Sequence, residues 1–404
     1  MRIIFVNRFF YPDHSATSQL LTDLAFYLAN AGISVVVLAS RQIYDDPSRV
    51  LPSRETQGAV RIFRPWSSRF GRQNILGRAC DYLTFYLSAA CKLIFLTKAN
   101  DVLIAKTDPP LISVVAAVVA KLRRAIICNW TQDLFPEVAQ ALELGGGKLG
   151  HSLLKKVRNW SLRSAKCNIA IGEYMARKLL DEGVSRNSIT VIHNWADGVS
   201  IRPIPREKNT LRKEWGLEHS FVVGYSGNFG RAHDFETILE VAARLGDKRD
   251  IVFLFIGGGA QKKPIEEAAA KARVKNIILK PYQPRELLTS SLTVPDVHLI
   301  SLRPSLEGLI VPSKFYGIAA AGRPCIFIGD RHGEIPTLLS DGHCGFSCEI
   351  GQVDALQRLI YDLADQPEAC AEIGLRARAL FDAKFDRSHA MRAWCQTIER
   401  VAQP

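Results

Sequence analysis

The sequence predicts an α/β protein of two halves, each built on a parallel sheet. Three observations carry that prediction. Short apolar runs alternate with helical patterns along the whole chain. The alternation breaks near the middle, at a charged segment with no apolar run, and then restarts. A chain of 404 residues also exceeds what one core ordinarily organises.

The elements follow in order. In the first half the strand candidates are RIIFVN (2–7), ISVVVLA (33–39), DVLIAK (101–106), AIICNW (125–130), CNIAIG (167–172) and ITVIHN (189–194). Helical patterns lie between them, notably at 17–31 and 174–182. The stretch 200–219 is charged, carries Pro203 and Pro205, and marks the junction. The second half gives FVVGYSG (221–227), IVFLFIG (251–257), NIILK (276–280), VHLISL (297–302) and CIFIGD (325–330) as strands. Residues 366–402 read as two helices broken at Asp386-Arg387-Ser388. The domains implied are 1–205, 206–385 and a terminal helix at 386–404.

Composition narrows the function classes. A hydrophobic share of 47% with 23% charged residues describes an ordinary globular protein. The nine cysteines show no zinc-ligand spacing; Cys344 and Cys348 are the nearest pair, so free thiols in a reducing cytosol and no metal site are expected. The first residues read as a strand and not a signal peptide. The net charge of +12 is uneven: eight arginines and three acids lie between Arg41 and Arg78. An aromatic, apolar segment at 81–97 follows, whose charge-free run of ten residues falls short of the roughly 20 that span a bilayer. A basic stretch beside such a helix suits the face of an anionic membrane, with Arg69, Arg72 and Arg78 as contacts; a basic loop beside a core helix is the alternative. No nucleic-acid-binding module is visible, so no nucleic acid partner is expected.

Ligands of open α/β sheets bind beyond the carboxyl ends of strands, so the polar residues there are the candidates. The richest segment is EGLIVPSKFYGIAAAGRP, 307–324. It offers the Glu307 carboxylate, a small-residue turn, and Pro312-Ser313-Lys314 at a helix start, where unpaired N–H groups and a cation suit an anion such as a diphosphate. Carboxylate, amides and cation together fit a nucleotide sugar; an ordinary capped crossover helix is the alternative. After FVVGYSG, the glycines Gly224, Gly227 and Gly230 permit a tight turn, while Arg231 and His233 are candidates for a phosphate. After the first strand, DHSATS reads as a helix start with Ser or Thr caps, and His14 as a contact to a sugar or acceptor hydroxyl. Asp133 follows AIICNW, where it suits a general base, an acceptor contact or a helix cap. His193, Asn194 and Asp197 follow ITVIHN in the same way. A Walker A loop, a G-x-S-x-G elbow and an H-E-x-x-H helix are all missing from the sequence, which argues against the corresponding enzyme classes.

Five stretches together, FYPDHSATSQLLTDLAFYLANAGISVVVLA, TQDLFPE, VIHNWAD, YSGNFGRAHDFETIL and EGLIVPSKFYGIAAAGRP, resemble the retaining glycosyltransferases of family 4 (group 1), over nearly the whole chain. Within that family the chain looks most like enzymes of bacterial capsule, colanic acid and exopolysaccharide assembly. The resemblance implies a GT-B fold of two Rossmann-like domains facing an interdomain cleft. The C-terminal half would hold a UDP- or GDP-linked donor sugar, the N-terminal half would offer the acceptor surface, and the last helix would cross back. Glu307 would contact the donor sugar, and Gly308, Leu309 and Ile310 would supply amides to the sugar or its phosphate. Lys314 would face the diphosphate, beside Gly227, Asn228, Arg231, His233 and Ser313. Asp133 or His14 would orient the acceptor. No metal or cofactor is required on this resemblance.

The chain departs from the pattern at the second motif glutamate, where Gly317 or Phe315 stands, and in a first loop without its usual glycines. The expected activity is retaining transfer of a sugar to a saccharide acceptor, lipid-linked, by a cytoplasmic protein peripheral to the inner membrane face. A nucleotide-sugar 2-epimerase and a non-catalytic nucleotide-sugar binding partner are the alternatives.

Overall fold

The computed structural model describes residues 1–404 except 45, 47, 72–74, 145–146, 247–249, 271–274 and 404. The described chain forms two compact units, Met1–His193 with Met391–Pro404, and Asn194–Ala390.

The first unit contains β1 (Arg2–Val6), β2 (Ser34–Leu38), β3 (Arg54–Gln57), β4 (Val60–Phe63), β5 (Val102–Lys106), β6 (Ile126–Thr131), β7 (Cys167–Ala170) and β8 (Ile189–Val191). Its helices are α1 (Ala16–Asn30), α2 (Ile75–Leu96), α3 (Ile112–Arg123), α4 (Glu137–Ala141), α5 (Lys148–Ser164) and α6 (Glu173–Asp181). The strand order is β3-β4-β2-β1-β5-β6-β7-β8, parallel except where β3 meets β4. The central strands are apolar on both faces because helices cover both faces. One face packs Ile4, Val36 and Leu103 under Phe85, Leu93 and Ala116 of α2 and α3. The order reverses between β1 and β5, which is where ligands of such sheets bind.

The second unit contains β9 (Phe221–Asn228), β10 (Ile251–Gly258), β11 (Ile277–Lys280), β12 (Val297–Ser301), β13 (Cys325–Ile328) and β14 (Gly345–Cys348). Its helices are α7 (Thr210–Glu214), α8 (Glu236–Arg244), α9 (Lys262–Ala269), α10 (Leu288–Thr293), α11 (Lys314–Ala320), α12 (Glu334–Asp341), α13 (Val353–Asp365) and α14 (Pro367–Lys384). The sheet is wholly parallel, in the order β11-β10-β9-β12-β13-β14. The reversal lies between β9 and β12. Those strands pair only at Val297↔Val223 and His298↔Gly224, so their carboxyl ends part and leave a crevice.

The contact division falls between His193 and Asn194, whereas composition points to the junction at 205/206. The physical reason is Arg378 on α14. Its guanidinium donates to the carbonyls of Gly198, Ile201 and Ala320 at 3.1, 2.8 and 2.6 Å, and so ties the segment after β8 to the second unit. The final helix α15 (Arg387–Ala402) runs into the first unit from Met391 onward. There Trp394 meets Trp130 edge-on at 4.7 Å, both fully buried.

Candidate functional site

The crevice of the second unit is built first from glycine. Gly227, near the end of β9, has φ +119°, and a Cβ there would lie 3.0 Å from Cε of Lys314. Gly257 on β10 has φ +140°, and a Cβ would meet the Gly227 carbonyl at 2.1 Å. A side chain at either position would strain the backbone; at Gly227 it would also crowd the Lys314 side chain, and at Gly257 it would collide with the Gly227 carbonyl.

Lys314 starts α11 and reaches back across the crevice. Its Nζ lies 3.1 Å from Nε2 of His233 and 3.4 Å from the Asn228 carbonyl oxygen, and 4.8 Å over the Tyr225 ring. His233 is buried, and its Nδ1 lies 2.5 Å from the Ser301 carbonyl oxygen. A carbonyl only accepts, so Nδ1 carries the proton and Nε2 accepts from the lysine. Burial and the lysine's charge push the imidazole down to about 3, so it is neutral. Lys314 as a residue is half-buried, and its amine lies among the His233 and Tyr225 rings and the Asn228 carbonyl. Loss of water there pulls it down to about 7.

This arrangement corrects two expectations. His233 is not free to donate to a phosphate, because both ring nitrogens are engaged; it positions Lys314 instead. Asn228 contributes its backbone carbonyl. The loop that carries them is pinned by Gln261, whose Nε2 donates to the carbonyls of Gly230 and His233 at 2.6 and 3.0 Å. Arg231 stands exposed on the same loop.

Glu307 lies on the loop between β12 and α11 and is half-buried. Its Oε1 accepts from the Glu334 amide at 2.8 Å, at the start of α12. A Cβ on Gly333 would lie 2.3 Å from its Oε2, so only glycine lets the carboxylate rest there. Burial pushes the Glu307 carboxyl above its ordinary range, helped by the charges of Glu334 and Asp330 and opposed by the Glu334 and Gly308 amides. The Gly333-Glu334 start of α12 escaped the sequence analysis, although GDRHGE follows a strand as the other candidates do.

The turn after Glu307 differs from expectation. Gly308 takes φ +74°, but the amides of Leu309 and Ile310 both donate to the Leu306 carbonyl, at 3.0 and 3.3 Å. They are engaged internally and are not offered to a ligand. The start of α11 is similar: the Phe315 and Tyr316 amides bond back to the carbonyls of Pro312 and Ser313 at 3.4 and 3.3 Å. Ser313 is exposed and caps nothing. The anion-binding character of this segment therefore rests on Lys314 more than on helix amides. Gly317 faces the Leu292 side chain, and Phe315 packs edge-on against Phe385 at 5.7 Å. Both positions considered for a second glutamate look into the interior.

In the first unit, His14 is exposed beyond β1, and its carbonyl accepts from Gln19. The N-cap residue of α1 is Ser15, as expected. Ser15 makes no capping bond, and buried Asp13 instead accepts from the Ser15 amide and hydroxyl and the Tyr44 amide. Asp133 follows β6. Crowding by protein and the charge of Asp108 push its carboxyl up to about 6, against the pull of Lys106; the side chain still reaches water, which relieves part of that push. Lys106, missed from the sequence, ends β5 fully buried. Its Nζ donates to the Thr17 carbonyl at 2.7 Å and lies 3.7 Å over the Trp130 ring. Burial holds that amine well below its ordinary range. The KTDPP run after DVLIAK was the available signal. Asp197 turns out to close a turn, accepting from the Val199 amide and Ser200 hydroxyl.

The structure thus gathers Gly227, Asn228, His233 and Lys314 at one crevice, with Glu307 on the loop that leads into α11. His14 and Asp133 lie at the carboxyl edge of the other sheet.

Comparison with known proteins fits this geometry. Residues 207–380 match the family described as glycosyl transferases group 1, and residues 17–195 match the glycosyl transferase 4-like domain. The probable glycosyltransferase WbjE of Pseudomonas aeruginosa is 26% identical over 303 residues, 74% of each chain. The putative colanic acid biosynthesis glycosyl transferase WcaI of Escherichia coli K12 is 25% identical over 54% of this chain and 55% of its own. Among solved structures, Anabaena HepE in complex with UDP-glucose superposes with a TM-score of 0.73 at 16% identity, covering 99% of this chain and 100% of its own.

Proposed function

The chain belongs to the group 1 glycosyltransferases and has their GT-B fold, and from that premise we propose that it moves a sugar from a nucleoside diphosphate, UDP in the first instance, to a saccharide acceptor. The observation that carries the reading is the Lys314 amine, held by His233 and the Asn228 carbonyl at the mouth of the β9–β12 crevice. An amine near neutrality is primed for a dianion: a diphosphate beside it restores the charge, and the pair forms where water has already been excluded.

Breaking the bond between sugar and diphosphate puts negative charge on the leaving oxygen. Lys314, with exposed Arg231 nearby on its loop, stabilises that charge as it grows. Glu307 accepts from hydroxyls of the departing sugar. Transfer proceeds with retention, the leaving phosphate taking the acceptor's proton on the face it vacates. Asp133, its carboxyl pushed above the ordinary range, and His14 orient the acceptor hydroxyl. The acceptor is a lipid-linked saccharide, and the setting is cell-surface polysaccharide assembly at the inner face of the cytoplasmic membrane. The name of the relative WcaI supports that setting, and the HepE complex supports UDP as the carrier.

A thermal-shift panel of UDP, GDP and their sugar conjugates on wild type and Lys314→Ala tests this. A ligand at about 100 times its dissociation constant stabilises by roughly 2.7 kcal/mol. A shift with one nucleotide class that disappears in the variant is expected. Equal shifts in both proteins, or none in either, overturn the site.

A further inference from the structure

Helix α2 has an inner and an outer face of the same apolar character. Phe85, Ala89 and Leu93 are fully buried against the sheet. On the opposite side Leu76, Leu83, Leu87 and Phe95 are 74, 58, 61 and 84% exposed. They recur at helical spacing and form one stripe about 28 Å long. Helix α2 begins before the segment read at 81–97, so by length and composition alone it could cross a membrane, contrary to what the ten-residue charge-free run suggests. Its inner face belongs to the core, so it lies along a surface and does not span one.

The neighbours extend this face. Helix α3 packs on α2, and α5 on α3. Leu122 of α3 is 66% exposed, and Leu149 and Leu153 of α5 are 89 and 64% exposed. Trp160, farther along α5, is 40% exposed.

Charge decides what covers the face. The sequences of α3 and α5 contain no acid, and α2 contains only Asp81. At the chain's overall frequency these three helices would carry about five. Asp81 is turned inward: its carboxylate accepts from the Ser68 hydroxyl and the Phe70 and Gly71 amides at 2.8, 2.9 and 3.1 Å. Exposed Arg78, Lys121, Arg123, Arg124, Lys156 and Arg163 remain. Exposed Trp66 and Phe70, with Arg69 between them, lie on the loop that Asp81 anchors. Arg72 lies outside the described residues.

We propose that the outer faces of α2, α3 and α5 form one docking surface for an anionic lipid bilayer. Leucines and tryptophan enter the headgroup boundary, and the arginines and lysines meet the lipid phosphates. A second copy of this chain is the poorer occupant, because an isologous pair would set like charge against like. The surface joins α3 and α5 to α2 and the basic segment at 41–78. It deepens the proposed function, for which it brings a lipid-linked acceptor to the enzyme, but binding to vesicles needs no turnover.

The test is co-sedimentation with vesicles of phosphatidylcholine alone and with roughly a third phosphatidylglycerol. The variants are Leu83→Glu/Leu87→Glu, Lys121→Glu/Arg124→Glu, and the matched control Leu375→Glu on the second unit, 64% exposed in the wild type. Wild type and the control should sediment with anionic vesicles only, less so as salt rises. The leucine pair should lose affinity about tenfold or more, and the basic pair roughly fivefold per charge removed. Wild type remaining in the supernatant, or both variants sedimenting like wild type, overturns the proposal. So does a wild-type dimer that the leucine pair converts to monomer without vesicles. The nucleotide thermal-shift panel on the same variants should be unchanged, which separates failure here from failure of the donor site.

Discussion

Donor binding should take up a proton, and Lys314 sets how much. In the free protein the amine lies at about 7. Beside a bound diphosphate it returns toward its ordinary range, near 10. The uptake on binding is then the fraction of free protein whose amine is neutral: about 0.1 proton at pH 6, about 0.5 at pH 7 and about 0.9 at pH 8. The apparent dissociation constant should rise roughly tenfold per pH unit above 7 for the same reason. His233 adds nothing in this window, because it sits at about 3. The assay is isothermal titration calorimetry at each pH in two buffers of different ionisation enthalpy. A nucleotide sugar is the right probe, since both ends of its diphosphate are esterified. Lys314→Met should bind weakly and take up no proton at pH 8. Uptake near zero in the wild type at pH 8, or unchanged uptake in the variant, refutes the reasoning.

Other outcomes follow from named contacts. Glu307→Gln should leave nucleoside diphosphate binding intact but remove the extra affinity of the sugar conjugate, a loss of roughly 1.5–3 kcal/mol for hydrogen bonds to a charged group; comparing the two ligands by calorimetry checks it. Stability of the ligand-free protein should rise with pH from about 7 to about 8.5, above which the buried thiols of Cys128, Cys325, Cys344, Cys348 and Cys370, pushed up by burial, oppose the trend. The unfolded chain holds more protons there than the folded one, while below 7 both states are protonated and the cost of burying the Lys314 amine is fully present. Urea midpoints across that range should climb, and Lys314→Met should reduce the climb, with Lys106, also held below its ordinary range by burial, supplying a contribution of the same sign. Trp394→Ala should cost roughly 3–5 kcal/mol, because the fully buried indole is lost from its contact with Trp130. Arg378→Ala should cost roughly 2 kcal/mol in urea melts, since three carbonyls lose the donor that ties the chain after β8 to α14.

The fold was legible wherever a strand is buried on both faces. All eleven strand candidates appear: nine are inner strands, which as doubly covered parallel strands must be unbroken apolar runs, and the half-buried edge strands β8 and β11 keep enough apolar residues to be read as well. The three strands missed are β3, β4 and β14, which lie at or next to a sheet edge. RETQ is exposed and polar because it has water on one side, and GFSC is half-exposed for the same reason. α1 and α6 fell within a residue of expectation at each end, since their apolar stripes end where the core ends.

The site was legible as a set of residue types after strands and illegible as a set of pairs. Lys314 and His233 were both candidates for a phosphate, but nothing in the sequence says that a histidine 81 positions away accepts the lysine's hydrogen bond. The same holds for the amides of Leu309 and Ile310. Their spacing is right for a ligand, and only the closed turn shows them spent on Leu306. Lys106 is the sharpest case. A lysine at the end of an apolar strand reads as the point where the strand meets water. It is buried because Trp130 roofs it, Trp394 backs Trp130 from the far end of the chain, and the Thr17 carbonyl, 89 residues away, accepts its hydrogen bond. Burying an amine costs more than any local pattern would concede. Two such amines, each at the carboxyl edge of its own sheet beside the strand where the order reverses, are therefore better evidence of function than any of the motifs that led to them.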